Sequence, residues 1–331
     1  MNCAYLAFTD RGMALAHRLA QAQPGTVDRC GKDGVRLGDW TSRSFARCNA
    51  LVFVGAVGIA VRAIAPHCRS KATDPAVVVV DEAGQFAIPV LSGHLGGANA
   101  LARTLAAACG AVPVITTATD VRGVFAVDEW AKQAGCAVLE PERIKQVSGR
   151  LLAGEPVGFW SEFPVNGTPP AGVSPAPAQQ ADFALTLFPQ GEGLHLVPVI
   201  GVLGVGCRRG TTAQQLEAAF AAFCARYALS PRCICAAASI DLKQNEAGLL
   251  EFCAAHRWAV SFYSAGQLKT VPGNFTPSAF VCSVTGVDNV CERAAALAAG
   301  GTIRIPKQAA DGVTFALALR PYAPDWRNQN G

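Results

Sequence analysis

The chain has 331 residues, 51% of them hydrophobic and 16% charged, with a formal net charge of +4 and a mean hydropathy of +0.27. High apolar content with little net charge excludes a disordered chain, and at roughly 150 residues per domain the length predicts about two domains whose cores need no disulfide or metal to hold them. The basic residues form no run and few aromatics lie among them, which excludes an electrostatic nucleic-acid binder.

In chain order, Cys3 to Phe8 reads as a buried strand, and Thr9-Asp10 as the cap of a helix that continues to Ala22. Strand Leu51–Val54, helix Ile59–Ala65 and strands Val77–Val80 and Phe86–Val90 follow, then the turn Ser92–Asn99, helix Ala98–Cys109 and strand Val112–Ile115. Runs such as "VVVV" are apolar on both faces, as strands between helix layers must be. Residues 135–196 change character, and the proline-rich "NGTPPAGVSPAPAQQ" is expected to form an exposed, irregular connection. Alternation resumes with strand Val197–Val205, helix Ala213–Tyr227, strand Cys233–Ala238, helix Glu246–His256, and strands Ala259–Tyr263 and Phe315–Leu319. The expected fold class is α/β: two mainly parallel α/β domains, 1–134 and 197–331, separated by a small Pro/Gly-rich middle region, 135–196.

The best candidate for a membrane span, residues 50–61, is far shorter than the ~20 residues a bilayer requires. The N-terminus lacks a basic start before an apolar run, so no export is expected. Thirteen cysteines, an odd number scattered through apolar segments, suit a reducing cytoplasm better than a disulfide framework.

Three polar constellations stand at strand ends. In Ser92-Gly93-His94-Leu95-Gly96-Gly97-Ala98-Asn99, glycines permit a tight turn and leave amides free at a helix N-terminus, a nest suited to a carboxylate or phosphate, with His94 at its edge. A plain strand-to-helix turn capped by Asn99 is an equal reading of the glycines. Gly204-Val205-Gly206-Cys207-Arg208-Arg209-Gly210-Thr211-Thr212 lacks the lysine of a phosphate-binding P-loop and the glycine spacing of a dinucleotide fingerprint. What remains is an anion site offering the forked donors of Arg208 and Arg209, with Thr211 or Thr212 able to cap the next helix. In Ser239-Ile240-Asp241-Leu242-Lys243-Gln244-Asn245-Glu246, Asp241 and Lys243 share a face if the segment is extended, while Asn245 and Glu246 read as a helix start. Asp81 and Glu82 follow the "VVVV" strand and are candidate bases or ordinary turn residues, and Asp120 resembles a turn or cap residue. Cys233-Ile234-Cys235 has no matched second pair, which argues against zinc.

The strings "GAVGIAVRAIAP", "TDPAVVVVDEAGQFAIPVLSGHLGGANALARTLA" and "PVITTATD" resemble the N-terminal domain of the cobalt-precorrin-5A hydrolase family of anaerobic cobalamin biosynthesis. "GVGCRRGTT", "ASIDLKQNEAGLLEF", "FTPSAFV", "VTGVDNVCERAAAL" and "IPKQAADGVTFALA" resemble its C-terminal domain. The resemblance implies opening of a δ-lactone on a cobalt-containing macrocycle and release of a two-carbon fragment as acetaldehyde, giving cobalt-precorrin-5B. No separate cofactor and no protein-bound metal are then expected, because the cobalt belongs to the substrate. Neighbouring enzymes of the pathway are possible partners, nucleic acid and membrane are not, and a carrier that binds a tetrapyrrole without changing it is the alternative. The expected catalytic residues are His94, Asp81, Glu82 and Lys243. The expected substrate-binding residues are Gly93, Gly96, Gly97, Asn99, Gly206, Arg208, Arg209, Thr211, Thr212 and Asp241, with the two glycine-rich turns sharing the substrate's carboxylates if the domains face each other across a cleft.

Overall fold

A computed structural model describes residues 2–31, 34–70 and 73–329. The chain divides into two compact units, 1–129 with 148–154, and 130–147 with 155–331.

The first unit begins with β1 (Cys3–Ala7), α1 (Asp10–Ala22), β2 (Gly25–Arg29), α2 (Leu37–Arg47), β3 (Ala50–Val54) and α3 (Val57–Ile64). It continues with β4 (Ala76–Val80), β5 (Phe86–Leu91), α4 (Ala98–Cys109), β6 (Val112–Pro113) and α5 (Ala118–Arg122). Its six-stranded sheet has the order β2-β1-β3-β4-β5-β6, and every pairing is parallel except that of β4 with β5. Strand side chains alternate in direction, so Val52, Val54, Val78 and Val80 enter one core with α1 and α4, while Leu51, Phe53, Val77 and Val79 enter another with Trp40 and Ile64. This double burial is the reason the strands carry no polar face.

The antiparallel β5 decides where side chains emerge. Val80 pairs with Ala87 and Val77 with Leu91, so residues 81–82 leave one end of β4 while residues 92–97 leave the sheet beside its other end. β6 runs parallel to β5 and delivers residues 114–120 to the same end as residues 92–97.

The helix α6 (Val127–Gln133) begins in the first unit, and α7 (Ile144–Leu152) follows β7 (Cys136–Val138). The second unit holds two sheets. One is built from β7, β8 (Val157–Ser161), β9 (Val173–Pro175), β10 (Phe183–Leu185) and β11 (Leu194–Pro198), in the order β7-β11-β10-β8-β9. The proline-rich segment is therefore not wholly irregular, because Val173–Pro175 pairs in parallel with β8. It tolerates Pro175 because β9 is an edge strand, where a missing N–H breaks no ladder.

The other sheet comprises β12 (Gly201–Cys207), α8 (Ala213–Tyr227), β13 (Ile234–Ile240), α9 (Ala247–Ala255), β14 (Ala259–Tyr263), α10 (Ala265–Lys269), α11 (Ala279–Thr285), α12 (Cys291–Ala299), β15 (Thr302–Ala310) and β16 (Val313–Leu319). The strand order is β14-β13-β12-β16-β15, parallel on one side of β12 and antiparallel on the other. The expected strand 197–205 is two strands in different sheets, divided after Pro198. Phe220, Phe223, Leu249 and Phe252 of α8 and α9 cover one face, and Ala294, Ala295 and Ala299 of α12 cover the other. Gly204 lets α12 lie against β12: a Cβ there would stand 1.9 Å from the Cys291 carbonyl oxygen. Across the three sheets most pairings are parallel, as expected of the α/β class. No helix among the described residues is long and apolar enough to cross a membrane.

Candidate functional site

The turn between β5 and α4 places His94 among carboxylates that lie far from it in sequence. Its Nε2 is 2.9 Å from Asp120 Oδ2 and its Nδ1 is 3.2 Å from Asp128 Oδ1, with Thr119 Oγ1 3.3 Å from Nε2. Asp120 is held in turn by Asn99 Nδ2, at 3.1 Å, by the Thr117 hydroxyl and by the Arg103 guanidinium. Arg103 also lies 3.8 Å from Glu129.

Burial disfavours charge on His94, but hydrogen bonds and Coulombic attraction from Asp128 and Asp120 outweigh it and raise the pKa to about 9. At neutral pH the ring is an imidazolium with both N–H groups facing carboxylates. A ring that holds its proton between two carboxylates is placed for proton donation and charge stabilisation rather than for taking a proton from water. Burial pushes the Asp120 carboxyl upward, yet Thr117, His94 and Arg103 bring it below its ordinary value. Glu129 moves the other way, raised by burial and then by the negative charge of Asp120. Two carboxylates of one cluster are thus driven apart, the usual arrangement behind separate acid and base roles.

Asp81 and Glu82 are not part of this cluster. They lie at the opposite end of β4, four strand residues or ~13 Å away along the sheet. Asp81 accepts the amides of Ala83, Gln85 and Phe86 and so closes the β4–β5 turn, and Glu82 accepts the hydroxyl of Thr9, the cap of α1. Both act in local structure. The expected Asn99 cap is also absent: Asn99 is buried, and its amide reaches Thr117 and Asp120. Gly97, at φ +88°, occupies the N-cap of α4, while the carbonyl of Gly93 takes the Asn99 amide.

One atom each from His94, Asp120 and Glu129 falls within 4.8 Å of the others, a spacing compatible with a divalent cation. The donor chemistry fits a cation poorly. Both His94 nitrogens are engaged, and Arg103 already bridges toward both carboxylates.

The second unit has a cavity of about 770 Å³ at the C-terminal ends of β12 and β13. Gly206, Arg208, Arg209 and Lys243 line it, joined by Lys307 of β15, which sequence reasoning missed. Ile240, Leu242, Val281, Val284 and Val290 form an apolar wall, and Leu242 and Val284 remain more than half exposed at 62% each. Arg208 rests over Gly312, whose Cβ would meet the Arg208 side chain at 2.8 Å. Asp311 and Gly312, at φ +51° and +81°, make the two-residue turn between β15 and β16. An Asp-Gly pair between strand-like runs is the signal that predicts such a hairpin and, with it, Lys307. Glu292, buried in the first turn of α12, accepts from the Lys307 and Thr276 amides and from Asn289 Nδ2, fixing that wall.

The 241–246 segment is not extended. Asp241–Lys243 is a 3₁₀ turn, so Asp241 and Lys243 do not share a face, and Asp241 stands outside the cavity lining. Lys243 Nζ bonds Glu246 Oε1 at 3.1 Å, and Glu246 Oε2 accepts the Gly210 amide at 3.0 Å, tying the two loops together. Gly210 and then Lys243 hold the Glu246 carboxyl below its ordinary value. Thr212 caps α8 in a capping box with Gln215, and the Thr211 hydroxyl donates to the Arg208 carbonyl, so neither threonine lines the cavity. Burial raises the Cys207 thiol pKa despite Lys243, which disfavours the thiolate there.

The "Cobalamin synthesis G N-terminal" family model matches residues 39–120, "Cobalamin biosynthesis central region" matches 125–186, and "Cobalamin synthesis G C-terminus" matches 201–318. A cobalt-precorrin-5A hydrolase of Salmonella typhimurium is 34% identical over 96% of this chain and 97% of its own length. One of Priestia megaterium is 33% identical over 84% of this chain and 80% of its own. A solved cobalamin biosynthesis protein G homologue from Sulfolobus solfataricus aligns over 97% of both chains at 21% identity and a TM-score of 0.43.

Proposed function

The chain belongs to the cobalamin synthesis G family of cobalt-precorrin-5A hydrolases, and from that premise we propose that it hydrolyses the δ-lactone of cobalt-precorrin-5A and releases acetaldehyde. The observation that carries this reading furthest is the cavity of the second unit. An open apolar wall of Leu242, Val281 and Val284 beside the cations Arg208, Arg209, Lys243 and Lys307 suits a large flat ring fringed with carboxylates. A nucleotide would instead call for a phosphate-binding loop, and the turn at 204–212 has neither required spacing.

Lactone hydrolysis adds water across the acyl carbon–oxygen bond: the carbon gains hydroxide and the ring oxygen gains a proton. The groups needed are a base for the water, a positive environment for the oxyanion and an acid for the departing oxygen. The His94 cluster offers all three. Glu129, with its raised affinity for a proton, is the base, and the His94 imidazolium is the acid and the positive charge. The freed alcohol then collapses to acetaldehyde, and the electron pair of the broken C–C bond stays on the metallated ring, which takes up a proton. Cobalt enters as part of the substrate, and the reading requires no resident metal.

The test separates binding from chemistry. The Arg208→Ala and Lys307→Ala variants are expected to raise KM about tenfold, the loss of one charge-assisted contact each, while leaving kcat within a factor of about two. Glu129→Gln is expected to lower kcat about a hundredfold with KM little changed. Unchanged KM in both cavity variants would remove the cavity from the substrate site, and a fully active Glu129→Gln would remove the base.

A further inference from the structure

The pairing of β15 with β16 slips between Ile305 and Gln308, so Pro306 and Lys307 stand outside the regular ladder. Such an irregularity bends a strand and re-aims the side chain it carries. The Lys307 amide is held instead by a buried acid: it donates to Glu292 Oε1 at 2.6 Å.

Glu292 is only 2% exposed, and its two carboxylate oxygens accept four hydrogen bonds. Besides the Lys307 amide, Oε1 takes the Thr276 hydroxyl at 3.0 Å, while Oε2 takes the Thr276 amide at 2.7 Å and Asn289 Nδ2 at 2.5 Å. Asn289, 1% exposed, closes the network, because its Oδ1 accepts the Glu292 amide at 2.8 Å and its Nδ2 also reaches the Thr276 carbonyl at 2.8 Å. Taking a carboxylate out of water is costly, and apolar side chains of similar volume often fill such a place as stably. What the carboxylate adds is direction, since charge-assisted hydrogen bonds are short and strong and here fix three separate segments about one point. All three segments lead into the cavity of the second unit, through Ser278, Asn289 and Lys307. The Lys307 ammonium lies 3.5 Å from the Thr276 carbonyl and has no carboxylate partner among the described residues, which leaves its charge to a ligand.

We propose that Glu292 is a positioning residue for substrate binding: by holding the irregular strand at the Lys307 amide, it aims the Lys307 ammonium at a carboxylate on the rim of the macrocycle. Glu292 itself touches no substrate. The proposal rests on the hydrolase reading for the identity of that ligand.

The experiment is a double-mutant cycle in the full chain, Glu292→Gln with and without Lys307→Ala, following acetaldehyde release from the cobalt-containing lactone and thermal unfolding. Glutamine keeps the volume but replaces one accepting oxygen with a donor. Glu292→Gln is expected to raise KM about fivefold with kcat within about twofold, and to change KM by less than about twofold where Lys307 is already alanine. A purely structural role lowers the melting temperature in both backgrounds and changes KM in neither, or equally in both. Either of those KM results overturns the proposal. Should Glu292→Gln fail to fold, Thr276→Val takes its place, removing one donor to the carboxylate from a residue outside the cavity lining. It is expected to raise KM about threefold with Lys307 present and not without it, and an equal change in both backgrounds or none overturns the proposal as before. A parent that releases no acetaldehyde overturns the hydrolase reading alone, and the same cycle then decides the role of Glu292 through the Kd of the lactone, read by absorption titration.

Discussion

Replacing His94 with glutamine keeps a polar side chain of similar reach but removes the charge between Asp120 and Asp128. The shift of His94 from an ordinary 6.5 to about 9 corresponds to about 3 kcal/mol of preference for the protonated ring in the folded state. Because the folded value lies above the unfolded one, this stabilisation is fully present below about pH 6.5 and is lost as pH rises through about 9. Denaturant unfolding of parent and His94→Gln across pH 5.5 to 10 is the assay. The variant is expected to be less stable by about 3 kcal/mol at pH 6, with the gap closing by pH 10. A gap that stays constant across the range, or an imidazole resonance titrating near 6.5, would refute the assignment of His94 as a cation held by two carboxylates.

A Gly204→Ala substitution drives a methyl to 1.9 Å from the Cys291 carbonyl oxygen, where only movement of α12 relieves the clash; a loss of roughly 3 kcal/mol in urea unfolding is expected. Since Cys291 also lines the cavity, the same variant is expected to raise KM. Exhaustive chelation of the purified protein is expected to leave acetaldehyde release from the cobalt-loaded substrate unchanged, because Arg103 and the His94 ring already supply positive charge beside Asp120. Activity lost to a chelator and restored by a divalent cation would instead assign His94, Asp120 and Glu129 to a metal.

The strands 51–54 and 77–80 are legible from sequence because burial on both faces demands an unbroken apolar run. The split at Pro198 and the short strands of the middle sheet are less so, since three-residue strands leave no period to read. The site divides in the same way. Arg208, Arg209 and Lys243 stand out as rare charges at strand ends, and all three line the cavity. Asp120 reads locally as a turn or cap residue, and nothing local reveals that a sheet inversion at β5 brings it and Asp128 to His94. That inversion is also what carries Asp81 and Glu82 away from His94, although they precede it by little more than ten residues. Lys307 had a readable cue in Asp311-Gly312, whereas the reach of Glu292 to residues 276 and 307 is a property of three-dimensional placement alone.

The proposed reaction is hydrolysis with loss of a two-carbon fragment. Incubating the purified protein with the cobalt-containing lactone and quantifying volatile aldehyde against consumed macrocycle tests it directly. One equivalent of acetaldehyde per lactone opened, over many turnovers, is expected. Tight binding of the macrocycle, recovered intact with its lactone closed and no aldehyde formed, would contradict it and identify a carrier.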